Sequence, residues 1–158
     1  MKVQLLLVGK TTQDFVRKGV DEYAGRLKHY LPFEMETIPD IRNIRNFSFD
    51  QIKETEGDAI LKYIRPDDWV VLLDERGKEF TSMEFAGYME KKMLATPKRL
   101  VFIIGGPYGF ADKVYALARE KVSLSKMTFS HQLIRLIFTE QLYRAMTILG
   151  NQPYHHEQ

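Results

Sequence analysis

Short, nearly continuous apolar runs alternate along this chain with longer stretches in which apolar residues recur every three or four positions. Residues 3–8 form the first run, ended by Gly9, and predict a buried strand. Residues 12–30 place Phe15, Val16, Val20, Tyr23 and Leu27 at helical spacing, with Pro32 as the stop. Phe33, Met35 and Thr37 alternate with Glu34 and Glu36, which predicts a half-exposed strand over 33–38. The pattern fails across 39–47, a polar loop that carries Arg42 and Arg45. Ile52, Ile60, Leu61 and Ile64 restore the helical period over 49–64; Gly57 weakens its middle and Pro66 closes it.

The second half is more regular. Residues 69–73 are an apolar strand that ends at Asp74, before a charged Glu75-Arg76-Gly77 turn. Residues 82–94 read as a helix with Phe85, Met89 and Met93 on one face, and 100–104 as another apolar strand. Residues 112–120 predict a short helix, 122–124 a last strand, and 130–149 the longest helix, with Ser130 as N-cap and Gly150 as stop. Strands that are apolar on both faces and separated by helices imply an α/β fold with a mainly parallel sheet covered on both faces. There is no repeat, low-complexity tract or linker, so residues 1–158 read as a single domain.

Composition narrows the function. No stretch reaches the ~18 apolar residues of a spanning helix, and the apolar run at the N-terminus is too short for a signal peptide. The chain has no cysteine, which excludes disulfides and thiolate chemistry and suits a reducing cytoplasm. A net charge of +2 is small for a protein that coats nucleic acid, so an RNA partner would meet a local patch.

Four segments carry candidate chemistry. Gly9-Lys10-Thr11 after a strand suggests a phosphate loop, but that loop needs a glycine where Gln4 stands, so Gly9 reads as a strand-ending turn. The loop Gly105-Gly106-Pro107-Tyr108-Gly109 follows a buried strand; glycines there either admit a ligand to the backbone or make a tight turn. The stretch 123–129 alternates hydroxyl and apolar residues, and is either a wall for a flat heterocycle or a capped loop. The last helix is apolar around most of its circumference, which points to burial on more than one side and to a subunit interface. It also carries His131, Arg135, Glu140 and Arg144. The tail through Tyr154, His155 and His156 reads as a frayed terminus or a binding segment. Adjacent histidines rarely face one ion, so no metal site is expected.

Taken together, Leu72-Leu73-Asp74, the Ile104-Gly105-Gly106-Pro107-Tyr108-Gly109 loop, Ser123-Leu124-Ser125…Thr128, His131-Gln132-Leu133 with Arg135, Glu140-Gln141-Leu142-Tyr143-Arg144-Ala145 and Asn151…Pro153-Tyr154-His155 closely resemble the ribosomal RNA large-subunit methyltransferase H family of SPOUT (α/β-knot) methyltransferases. The resemblance spans essentially the whole chain. It implies a C-terminal trefoil knot, a homodimer, a cytoplasmic location, and methyl transfer from S-adenosylmethionine to N3 of a pseudouridine in helix 69 of 23S ribosomal RNA on the assembled ribosome. A SPOUT enzyme acting on transfer RNA and a non-catalytic knotted RNA-binding dimer are the alternatives.

Carried over by position, the cofactor contacts are Leu73, Gly105, Leu124, Ser125, Lys126, Met127, Thr128 and Phe129. The N3 proton must leave during transfer, and His131, Glu140 and His155 are the candidate bases. Arg135 and Arg144 are candidates for RNA phosphates or for salt bridges within the dimer, and Tyr154 and His155 for contact with an unpaired base. After His155 the family usually has a basic residue, often Arg, where this chain has His156. The small net charge fits an enzyme that recognises a whole ribosome by shape and protein contacts.

Overall fold

The computed structural model describes residues 1–95 and 97–157, without the side chains of His156 and Glu157. The side chain at which this chain departs from the family pattern, that of His156, therefore lies outside what the structure describes. Strands and α-helices alternate strictly: β1 (Lys2–Val8), α1 (Asp14–Leu27), β2 (Phe33–Ile38), α2 (Phe49–Tyr63), β3 (Trp69–Glu79), α3 (Ser82–Ala95), β4 (Arg99–Ile104), α4 (Asp112–Leu117), β5 (Glu120–Ser123) and α5 (Leu133–Leu149). Short 3₁₀ turns cover Ile44–Asn46 and Pro153–Glu157.

The strands form one sheet in the order β2-β1-β4-β3-β5, and every pairing is parallel. Parallel strands need helical crossovers, and these cover both faces. Val3, Leu5, Leu7, Phe102 and Ile104 point to the face covered by α1, α3 and α5, where Leu27, Phe85, Met89, Phe138 and Leu142 meet them. Leu6, Val8, Val101 and Ile103 point the other way, onto Ile60 of α2 and Val114 of α4. This two-sided burial explains why β1 and β4 are continuous apolar runs. At the edge, β2 alternates because only one of its faces is covered. Both ends of Gln4, buried within β1, are satisfied: Nε2 donates to Glu34 at 3.1 Å and Oε1 accepts from Tyr63 at 2.9 Å.

Among the boundaries that differ from the sequence pattern, three have a tertiary reason, while α1 is shorter than the expected 12–30 and β5 starts before the expected 122. The short helix stops at Leu117 because Arg119 N–H turns to Val70 O at 2.8 Å and Glu120 already pairs beside Val71. The last helix starts at Leu133, since His131 and Gln132 form a turn. Ser130 still caps it, accepting Leu133 N–H at 3.0 Å. Gln132 is held back by the loop after β1, donating to Lys10 O at 3.0 Å and accepting Thr12 N–H at 2.8 Å. The third difference is the largest: the strand expected to end at Asp74 continues to Glu79. Val122 pairs with both Leu73 and Lys78, so the residues between them bulge out of the sheet and return. Gly77 permits the return, because a Cβ there would lie 2.6 Å from the backbone of Lys121 and Val122.

Arg135 is the largest fully buried side chain. From α5 its guanidinium donates to Val8 O at 3.0 Å, Gly9 O at 2.8 Å and Thr11 Oγ1 at 2.8 Å, and its Nε donates to His131 O at 3.1 Å. This corrects the expectation that Arg135 meets RNA phosphates or a partner subunit: it is 0% exposed and its donors are used inside the chain. Hydrogen bonds from a charged donor contribute ~1.5–3 kcal/mol, and a buried acceptor left empty costs ~1–3 kcal/mol. Arg135→Met should therefore lower stability by about 3 kcal/mol or more. In urea unfolding the midpoint falls while the slope stays constant.

Candidate active site

At the carboxyl ends of β3, β4 and β5 the chain opens into a cavity of about 520 Å³, within the ~300–1,000 Å³ range of small-molecule sites. Topology explains its place. β4 leads into α4 on one face, while in its neighbour β3 the residues between Leu73 and Lys78 swing out of the sheet, and the crevice lies between that bulge and the loop after β4.

Each wall comes from one strand end. The β3 bulge supplies Leu73, Asp74, Glu75 and Arg76; the loop after β4 supplies Gly105, Gly106 and Tyr108; the segment after β5 supplies Leu124, Ser125, Met127, Thr128 and Phe129. His131 and Ile134, at the start of α5, close one side. The cavity thus gathers Leu73, Gly105 and most of the stretch after β5. Lys126 is exposed and does not line it.

The hydroxyls of that stretch hold the loop itself. Ser123 donates to Ser125 O at 2.9 Å, Ser125 Oγ accepts Met127 N–H at 2.9 Å, and Thr128 donates to Glu75 at 3.0 Å. This fixes the backbone of the loop, while the side chains of Leu124 and Phe129 are half-buried beside the cavity. Gly105 is required by packing, since a Cβ there would lie 2.9 Å from the Phe110 ring.

The charged wall was read from sequence only as a turn. Asp74 accepts a short hydrogen bond from the Tyr115 hydroxyl and another from Arg76 N–H at 2.8 Å. Burial pushes its pKa up, but these hydrogen bonds outweigh burial and hold the carboxyl below its usual range. Arg76 donates to the Tyr115 oxygen at 2.8 Å and its guanidinium lies over that ring. A fixed anion and a fixed cation therefore flank the opening.

Of the candidate bases, only His131 lines the cavity. Burial, then the Arg135 charge, lower its pKa and so favour the neutral imidazole. Glu140 lies elsewhere. Six residues beyond Ile134, it is turned away by ~120° and advanced ~9 Å along the axis. There it forms a cluster with Arg144, Tyr154 and His155. Glu140 Oε1 accepts from Arg144 Nη2 at 2.5 Å, Arg144 Nε at 3.1 Å and Tyr154 at 3.1 Å. The Arg144 guanidinium reaches His155 Nδ1 at 3.4 Å and stands over the Tyr154 ring. The tail is docked on α5, not frayed, and Tyr23 of α1 meets Tyr154 at 3.3 Å. Among the described residues no group of His, Asp and Glu is arranged to hold a metal ion. No helix there is long and apolar enough to cross a membrane.

A single parallel α/β sheet with a ligand-sized crevice beside three neighbouring strands is the architecture of an open α/β protein that holds a small molecule at the edge of its sheet. The family model described as "Predicted SPOUT methyltransferase" matches residues 1–155, and the chain belongs to that family. It is 63% identical over 157 residues to the ribosomal RNA large subunit methyltransferase H of Parabacteroides distasonis, covering 99% of this chain and 100% of that one. The proteins of the same name from Bacteroides thetaiotaomicron and Christiangramia forsetii are 57% and 52% identical, each over 99% of this chain and 100% and 99% of their own. The fold is similar to the crystal structure of a probable methyltransferase from Bordetella pertussis Tohama I, with TM-score 0.57 and 12% identity over 92% of this chain and 94% of that one.

One carboxyl near the site gives a pH signature. Half-buried Glu56 of α2 lies against Gly106, where a Cβ would come within 2.8 Å of its oxygen. Burial, and then the charge of Asp40, raise its pKa from 4.5 to about 7. The folded state thus keeps a proton that the unfolded chain loses near pH 4.5, so this group costs stability as pH rises from about 4.5 to 7. Glu56→Gln should leave the melting temperature unchanged at pH 4 and raise it at pH 8. For a half-exposed carboxyl the gain is about 1 kcal/mol, or ~2–4 °C, read by thermal melts at the two pH values.

Proposed function

We propose that this protein transfers a methyl group from S-adenosylmethionine to N3 of a pseudouridine in helix 69 of 23S ribosomal RNA on the assembled ribosome. The observation that carries the reading is the cavity itself. Leu73, Gly105 and five of the six residues 124–129 converge on it from separate loops. Its apolar walls and the Gly105-Gly106 backbone suit the flat, partly polar adenosine of such a cofactor. S-adenosylmethionine supplies an activated sulfonium methyl when bound. The protein's work is then to hold the acceptor in line, exclude water and receive the N3 proton.

His131 is the proton acceptor that the geometry favours, lying at the cavity with its neutral form preferred. Leu73, Gly105, Leu124, Ser125, Met127, Thr128 and Phe129 hold the donor. The Glu140–Arg144–Tyr154–His155 cluster faces away from the same chain's cavity, and this supports a homodimer in which each tail serves the partner's site. Leu133, Leu136 and Ile137 on α5 remain half-exposed, which fits such an interface. Within that dimer Arg144 and Glu140 orient Tyr154 and His155 toward the RNA. A trefoil knot formed by the loops after β3, β4 and β5 belongs to this reading.

Two measurements test it. Calorimetry should show S-adenosylmethionine binding, weakened ~10–100-fold by Gly105→Val, which overpacks the site against Phe110. Mass spectrometry of ribosomal RNA should find a methyl on the helix 69 pseudouridine after incubation of unmethylated ribosomes with protein and cofactor. Absence of cofactor binding overturns the methyltransfer reading; a methyl elsewhere overturns the substrate.

A further inference from the structure

The segment that breaks the hydrophobic pattern, 39–47, leads into the start of α2, whose Phe49 touches the cavity loop at Tyr108. It is an ordered turn. Asn43 adopts a left-handed backbone (φ 60°), Ile44–Asn46 form a 3₁₀ turn, and Phe47 N–H donates to Ile44 O at 2.9 Å. Ser48 and Gln51 then start α2 with a reciprocal capping box. Two aromatic rings are fixed outward by this arrangement, Phe47 at 38% exposure and Phe49 at 67%. Phe49 stacks on Tyr108 of the cavity loop, with ring centroids 4.5 Å apart and planes 21° from parallel. One turn further along α2, Lys53 lines the cavity.

Charge follows the rings. Arg42 and Arg45 are exposed, and no ion pair or hydrogen bond holds either guanidinium among the described residues. Three acidic side chains of α2, Asp50, Glu54 and Asp58, are paired with lysines. Lys113 pairs with Glu54 at 2.8 Å and with Asp58, and Asp50 has Lys53 at 3.8 Å. Exposed apolar rings held by a cap and a stack, next to uncommitted guanidinium groups, combine a π-face with a phosphate contact. That combination recognises unpaired nucleotides. It suits a self-association face poorly, because two copies would bring Arg42 and Arg45 against their own kind.

We propose that Arg42, Arg45, Phe47 and Phe49, with Tyr108 and Lys53 at the cavity rim, form a binding surface for unpaired RNA that feeds the target loop into the site. This rests on the ribosomal RNA reading above and names the part of the chain that grips the substrate. Bases stack on Phe49 and Phe47, the arginines hold the flanking phosphates, and Tyr108 carries the stack to the cavity mouth.

The test uses the full-length protein and two probes: a fluorescent RNA hairpin with an unpaired loop, titrated by anisotropy over a salt series, and assembled ribosomes, by co-sedimentation. Arg42→Ala with Arg45→Ala should weaken hairpin binding about tenfold and flatten the log K against log salt slope by ~1.4, the value for two single-strand phosphate contacts. Phe49→Leu keeps an apolar side chain but loses the ring; it should weaken binding ~5–100-fold with an unchanged slope. S-adenosylmethionine binding by the double arginine variant should match the parent, which reports an intact cavity. Unchanged hairpin affinity in both variants overturns the proposal, as does a parent that binds a paired duplex as well as the hairpin. Loss of ribosome binding with hairpin binding intact would assign the surface to a ribosomal protein, and a shift in sedimentation alone would assign it to self-association; each overturns the RNA surface. A parent that grips the hairpin but places no methyl on ribosomal RNA fails the functional reading and leaves this surface standing.

Discussion

The guanidinium of Arg135 is sealed from bulk solvent, no carboxylate among the described residues hydrogen-bonds it, and its charge is spread over oxygens at the end of β1. Such a group is stable because peptide dipoles converge on it from Val8, Gly9 and the turn before its own helix at His131. The convergence fixes three things at once. It seats the last helix on the first strand, it sets the turn that carries His131 and Gln132, and it positions the side of the cavity that this turn forms. Gly9, at φ 87°, is what lets the strand end abruptly enough to present its carbonyl.

The other determinant of the site is the departure and return of β3. A strand that ended at Leu73 would leave the cavity without its charged wall. A strand that continued straight would fill it. The bulge does neither, because both of its ends pair with Val122 and Gly77 lets the two backbones close. Bulges next to active sites commonly re-aim side chains in this way. Here Asp74, Arg76 and Tyr115 are locked to each other, so the wall is rigid before any ligand arrives.

Legibility from sequence followed the reach of each interaction. The buried runs at 3–8, 69–73 and 100–104 mark their strands because both faces demand apolar residues, and the alternation at 33–38 marks an edge for the opposite reason. Gly105 and the stretch 124–129 were visible as loops of special composition, and the family resemblance gave them a ligand. The bulge leaves no period, since Asp74, Glu75 and Arg76 look like any charged turn until Val122 is placed beside them. Lys53 and Glu56 are charged residues on a helix surface, and only α2's contact with the Gly106 loop distinguishes them. Arg135 misled because an arginine's partners here are backbone carbonyls more than a hundred residues away, which sequence spacing cannot display.

That separation has a consequence for how the molecule is made. β1 pairs with β4, which lies almost a hundred residues later, and the clamp from α5 comes later still. Contacts of such range must close large loops before they give any return. β1, an interior strand apolar on both faces, therefore has β2 on one edge while its other edge waits for β4. The Arg135 clamp closes only when α5 packs, so the native arrangement around β1 is completed by its most distant contacts.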